Sequence, residues 1–175
     1  YAKTPGSVAA PTAGLHFTSD LFERLAAQGI ARADLTLHVG YGTFEPVRTD
    51  QIELHRVAEE RFAIPEVTAR AVNRALDEGR RVVAVGTTTT RALEASARRG
   101  GGRLVAGAGV TDLYIYQGFD FRVVGALLTN FHLPRSSLLL LVCAIAGRET
   151  VLAAYSEAVR RRYRFYSYGD AMLIT

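Results

Sequence analysis

The sequence predicts an α/β fold, a layered α/β/α sandwich with a mixed, largely parallel sheet. Three observations carry this. Strand-like and helix-like stretches alternate along the chain, the order that stacks helices against a sheet. Residues 81–86 (RVVAVG) form a continuous apolar run of the kind buried on both faces, and they lead straight into a helix. Residues 110–116 and 121–129 read as two strands joined at residues 117–120, a hairpin that makes the sheet mixed.

Each remaining element has its own reason. Residues 18–29 (TSDLFERLAAQG) carry helix punctuation: Thr18 caps, Asp20 suits the first turn, Leu21, Phe22 and Leu25 form an apolar stripe, and Gly29 stops it. Residues 33–39 alternate as a strand, with Leu35, Leu37 and Val39 on one face and Thr36 and His38 on the other. A turn-rich segment follows over residues 40–46. Residues 65–79 form a helix with proline in its first turn and glycine at its end, Val67, Ala71, Ala75 and Leu76 marking the buried face. The apolar strand 81–86 runs into Thr87, Thr88, Thr89, Thr90 and Arg91 and a helix ending near Arg99. Residues 130–134 (NFHLP) interrupt the chain before a helix from about Arg135 to Ala146 and an amphipathic helix from Glu149 to about Arg161.

At 175 residues the chain is the size of one domain, residues 1–175. It is 49% hydrophobic and 22% charged, the balance of an ordinary soluble globular protein. The net charge of +4 is a modest excess, consistent with a polyanionic partner without requiring one. Lys3 is the only lysine, so the positive charge is almost all arginine, suited to bidentate phosphate contacts or simply a genomic habit. Cys143 is the only cysteine and lies in an apolar run, which fits a reduced, cytoplasmic setting. The most apolar run, residues 138–146, is too short to span a bilayer and reads as a core helix, so no membrane partner is expected. The chain opens on Tyr1 rather than methionine, without an element start, as a piece of something longer would.

Chemistry is expected where strands end, because open α/β sheets bind ligands beyond the carboxyl ends of their strands. Three strands end alike: at His38-Val39-Gly40, at Gly86 before four threonines and Arg91, and at Thr129-Asn130-Phe131-His132. Side by side, they would pool histidines, hydroxyls, an asparagine and an arginine. The turn after Gly86 aims backbone N–H groups and a helix N-terminus at whatever lies above it, which suits an anion; alternatively the threonines merely cap the helix. It is not a phosphate-binding P-loop, since the spacing and the lysine are missing.

His16, His38, His55 and His132 lack the close spacing of a metal motif, so no metal is expected. A single histidine is more often a hydrogen-bonded structural residue than a catalyst, yet it is the side chain suited to moving protons near neutral pH. His16 and His132 share loop-to-helix junctions with an apolar neighbour after them, whereas His55 lies in a polar stretch and reads as surface. The tail from Arg160 through Arg161, Arg162, Tyr163, Arg164, Phe165 and Tyr166 to Asp170 interleaves arginine with aromatics. That mix can hold phosphates and unstacked bases, but composition alone favours a solvated helix end followed by a strand burying alternate rings. Asp170 is a general base or a turn-former.

Six blocks then carry a resemblance: GSVAAPTAGLHFT (6–18), TLHVGYGTFEPV (36–47), VVAVGTTTTRALE (82–94), TDLYIYQGF (111–119), LLTNFHLPRSSLLLLV (127–142) and YRFYSYGDAMLI (163–174). In this order the chain resembles the S-adenosylmethionine:tRNA ribosyltransferase-isomerases of queuosine biosynthesis. The resemblance implies an enzyme using S-adenosylmethionine as a consumed ribosyl donor, with no further cofactor. Its ribose would be transferred and isomerised onto 7-aminomethyl-7-deazaguanine at the tRNA wobble position, giving epoxyqueuosine as adenine and methionine leave. It also implies a longer two-domain enzyme with a small β-barrel in its N-terminal half, so this chain is expected to be the C-terminal part and to be inactive alone. Gln117 stands where the family pattern has proline, a turn change.

On this resemblance, His16, His132 and Asp170 are the catalytic candidates, the histidines for proton transfer. Thr12, Gly14, His38, Gly40, Thr87, Thr88, Arg91 and Asn130 are expected at the donor, with Thr87, Thr88 and Arg91 on its carboxylate or ribose. Arg160, Arg161, Arg162 and Arg164 are expected on tRNA phosphates. A monomer is expected. The competing classes are a non-catalytic tRNA-binding module of the same fold and a conventional methyltransferase, whose glycine-rich strand-turn-helix is missing here.

Overall fold

The computed structural model describes residues 5–7, 9–40, 46–49 and 51–175. The strands are β1 (Thr36–His38), β2 (Glu60–Ile64), β3 (Val83–Val85), β4 (Gly107–Thr111), β5 (Ala126–Asn130) and β6 (Ala171–Ile174). The helices are α1 (Ser19–Ala27), α2 (Glu66–Asp77), α3 (Thr87–Arg99), α4 (Ser137–Ala146) and α5 (Arg148–Arg160), with a 3-10 turn over Thr12–His16. Residues 41–45, most of the expected turn-rich segment, lie outside the described residues.

The α/β layering is as expected, but the strands form two three-stranded sheets, β1-β2-β4 and β3-β5-β6. The first is antiparallel throughout, and in the second only β3 and β5 run parallel, with Val83 opposite Ala126 and Val85 opposite Leu128. Parallel pairing is therefore confined to the one pair of strands whose C-terminal ends support the cleft described below. The expected hairpin over residues 110–129 does not form, because its two halves belong to different sheets. The buried Glu94 carboxylate explains this: it accepts the backbone N–H groups of Arg122, Val123 and Val124, at 2.9–3.0 Å, so that stretch bonds to a side chain instead of a neighbouring strand.

β2 was not anticipated, although its burial alternates cleanly through Glu60, Phe62 and Ile64. α2 buries Thr68, Ala69, Val72 and Ala75, while Val67 is 67% exposed and Ala71 also faces solvent. Polar anchors turn it away from its most apolar stripe. The Thr68 hydroxyl donates to Asp34 O, and the Asn73 amide both donates to and accepts from the Leu104 backbone. Thr18 caps α1 by accepting from Leu21 N–H, and Ser136 caps α4 by accepting from Leu139 N–H. One core runs between these elements, with Leu127, Leu141, Val142, Ile64 and Ile115 almost wholly buried. Among the described residues no single helix is long and apolar enough to cross a membrane.

Candidate functional site

The site begins with the parallel pair. Gly86 N–H donates to Leu128 O at 2.8 Å and holds the end of β3 level with the end of β5. Gly86 then turns at φ +95°, a conformation side chains rarely adopt, so that α3 starts at the next residue. No side chain caps this helix, and its first backbone bond runs from Thr90 N–H to Gly86 O. The 3-10 turn lies across this end, with the Ala13 side chain 3.7 Å from where a Cβ on Gly86 would sit.

Between these pieces opens a small cleft, lined among others by Thr12, Thr87, Thr88, Asn130, His132 and Tyr166. Sequence elements more than a hundred residues apart are brought together there. A wider hollow on the outer face of α2, beside Arg70, Arg74 and Arg103, is a weaker candidate. Its arginines are spent on Glu66, Glu78 and Asp77, and it contains no histidine.

His132 is buried, with Nε2 3.1 Å from the Thr129 hydroxyl and its backbone N–H donating to the Tyr155 hydroxyl at 2.9 Å. Burial pushes its pKa down to about 4, so the ring is neutral at physiological pH and can accept a proton. Burial also pushes Tyr155 up to about 12, keeping that hydroxyl protonated. Asn130 is 3% exposed; its Nδ2 donates to Tyr166 O at 3.1 Å and more weakly to Gly169 O, while Oδ1 is buried without a partner among the described residues.

The other expected residues divide. His16 closes the 3-10 turn beside the cleft, and its buried Nε2 has no hydrogen-bond partner among the described residues. Gly14 supplies turn backbone, donating to Pro11 O and accepting from Phe17 N–H. His38 ends β1 with its ring against Gly6, and its neighbour Val39 reaches the cleft while Gly40 follows half-buried. Arg91 lies in the interior, where its guanidinium meets Glu60 at 3.0 Å and donates to the Leu113 and Ala58 carbonyls.

Asp170 accepts the Arg164 N–H at 2.7 Å and its guanidinium at 3.1 Å, bonds that hold its carboxyl below the usual carboxylate range. It is placed as the clasp of a loop. Arg160 and Arg161 both pair with Glu157, whereas Arg162 makes no ion pair among the described residues. The tail is that loop rather than a strand burying alternate rings. Tyr163, Tyr166 and Tyr168 are exposed, Tyr168 by 88%, while Phe165 packs against Phe131 and Tyr155 and the Tyr163 ring meets Phe131 edge-on. The regular strand is confined to the last few residues of the chain. His55, expected at the surface, is buried edge-on against Tyr114. Sequence reasoning missed Tyr155, Tyr166 and Glu94, since nothing in a helical stripe or an aromatic run says which hydroxyl or carboxylate will meet a backbone.

The comparisons agree with this architecture. Residues 1–174 match the family model described as queuosine biosynthesis protein. The chain is similar to the S-adenosylmethionine:tRNA ribosyltransferase-isomerase of Thermus thermophilus, 62% identical over 99% of this chain and 50% of the relative. It is similarly related to that of Syntrophotalea carbinolica, 59% identical over 99% and 50%. It resembles the crystal structure of an S-adenosylmethionine tRNA ribosyltransferase from Thermotoga maritima with a TM-score of 0.74 and 47% identity, covering 93% of this chain and 51% of that one. The chain thus spans about half the length of the relatives it matches. With nearly every residue inside the family model, and the cleft built from the family's blocks, the chain belongs to the queuosine biosynthesis protein family.

Proposed function

We propose that the full-length protein transfers and isomerises the ribosyl group of S-adenosylmethionine onto 7-aminomethyl-7-deazaguanine at the wobble position of tRNA. Epoxyqueuosine-tRNA forms, and adenine and methionine leave. One observation carries the reading beyond family membership: a cleft at the ends of β3 and β5 combines a neutral, buried imidazole with an uncapped helix N-terminus. The chemistry needs a proton acceptor beside the sulfonium and fixed donors for negative charge, and those two features meet these needs. In this reading His132 takes the proton, and His16 is the second proton-transfer group. Thr87 and Thr88 hold the donor, and arginines of the tail meet tRNA phosphates. S-adenosylmethionine is consumed, and the protein acts as a monomer.

The test uses full-length protein, tRNA carrying the aminomethyl base, and S-adenosylmethionine labelled in either the ribose or the methyl group. Ribose label entering tRNA with one adenine released per transfer supports the reading. Methyl label in the tRNA would indicate a methyltransferase, and tRNA binding without adenine release a non-catalytic module.

A further inference from the structure

In the cleft, complementary polar groups lack partners among the described residues. The N–H groups of Thr87 and Thr88 precede the first backbone bond of α3, and no side chain caps them. Asn130 supplies the opposite polarity. Its amide orientation is fixed, because the carbonyls of Tyr166 and Gly169 can be met only by N–H, so the orphaned buried atom is the oxygen. Val85 lies opposite Leu128, and two residues further along the two chains come Thr87 and Asn130. The donors and the acceptor therefore line the same small cleft.

We infer that this pair of features receives an α-amino-acid head group, the carboxylate on the α3 N–H groups and the ammonium on Asn130 Oδ1. A bare anion such as phosphate fits less well, since it would satisfy the helix but set its oxygens against an amide oxygen. A zwitterion whose two charges are two bonds apart satisfies both. Arg91 is held by Glu60, so the carboxylate is met here by backbone dipoles and hydroxyls without an arginine. The assignment rests on the donor proposed above, whose methionyl end is such a head group.

Titration calorimetry on the full-length protein tests it with three thioethers: S-adenosylhomocysteine, its deamino analogue, and methylthioadenosine, which lacks the head group. The expected result is about tenfold weaker binding of the deamino analogue, the scale of one hydrogen bond to a charged group, and weaker binding still of methylthioadenosine. Asn130→Ala should abolish the preference for S-adenosylhomocysteine over its deamino analogue while leaving methylthioadenosine within about threefold; a merely structural role would lower all three alike. The series on the unaltered protein decides the matter even if the variant fails to fold. Equal binding of the parent and deamino compounds overturns the head-group assignment and leaves the donor standing. Failure of all three to bind overturns the donor reading and the head-group assignment together.

Discussion

Glu60 Oε2 and Arg91 Nη1 lie 3.0 Å apart with side chains 3% and 4% exposed, an interior ion pair joining a strand of one sheet to the helix that follows a strand of the other. The Arg91 guanidinium also donates to two carbonyls, so the charge is both paired and hydrogen-bonded. Burying it lowers its pKa, the cost that Glu60 partly offsets.

Removing one member leaves an uncompensated interior charge. Arg91→Met should therefore lower stability by about 3–5 kcal/mol, and adding Glu60→Leu should restore much of it. Urea denaturation of the single and double variants measures this. A stable Arg91→Met protein with a raised KM for the donor would instead place Arg91 on substrate.

Glu94 is fully buried and serves three consecutive backbone N–H groups. Glu94→Ala strands all three, at about 1–3 kcal/mol each, and should leave little folded protein. Glu94→Gln keeps an acceptor oxygen and should cost less. Thermal melting ranks the two, and equal melting temperatures for Glu94→Ala and the unaltered protein would refute the role.

These interior contacts mark where sequence reading stopped. Helices with local punctuation were read closely: Thr18 caps as its residue type dictates, and the helix after Gly86 begins at the next residue. The cleft was foreseeable in part because the ends of two parallel strands must lie together, which placed Thr87, Asn130 and His132 correctly side by side. Pattern could not show that Glu94 would take backbone groups that a hairpin needs. Nor could it show that Thr68 and Asn73 would rotate α2, or that Arg91 would point inward. Each is a long-range polar contact whose partner lies more than twenty residues away, and hydrophobic periodicity is blind to such contacts.

His132 has a folded pKa of about 4 against 6.5 for the ordinary side chain. Between those values the unfolded chain binds more protons than the fold, so stability rises with pH across this window. The contribution is fully present above pH ~6.5 and is lost as pH falls toward ~4, on the order of 3 kcal/mol in all. His132→Gln should flatten this part of the profile. Urea midpoints at pH 4.5 and 7 for both proteins provide the check, and an unchanged difference would assign the dependence elsewhere.

Asp170 is bound at both oxygens by Arg164, which favours its charged form and leaves neither oxygen able to take a proton without giving up that partner. Asp170→Asn can still accept the Arg164 N–H and keep the turn. In the full-length enzyme this variant should retain kcat within about fivefold and leave the pH–rate profile unmoved, since no proton passes through the group. A loss of a hundredfold or more with normal donor binding would restore Asp170 as a catalytic group.

The arginines of the tail differ in what they can offer a polyanion. Arg160 and Arg161 share Glu157, whose carboxyl they hold below its usual range, so a phosphate must compete with an existing partner for either one. Arg162 has no such partner among the described residues and is exposed on the loop that carries Tyr163, Tyr166 and Tyr168. If this loop meets tRNA, Arg162→Ala should weaken binding and lower the slope of log affinity against log salt by about 1, one phosphate contact. Arg160→Ala should change that slope much less, because Glu157 already neutralises part of its charge. Filter binding of tRNA to the full-length protein across a salt series distinguishes the two. A larger effect for Arg160 than for Arg162 would mean that the polyanion displaces Glu157 and tracks along the end of α5.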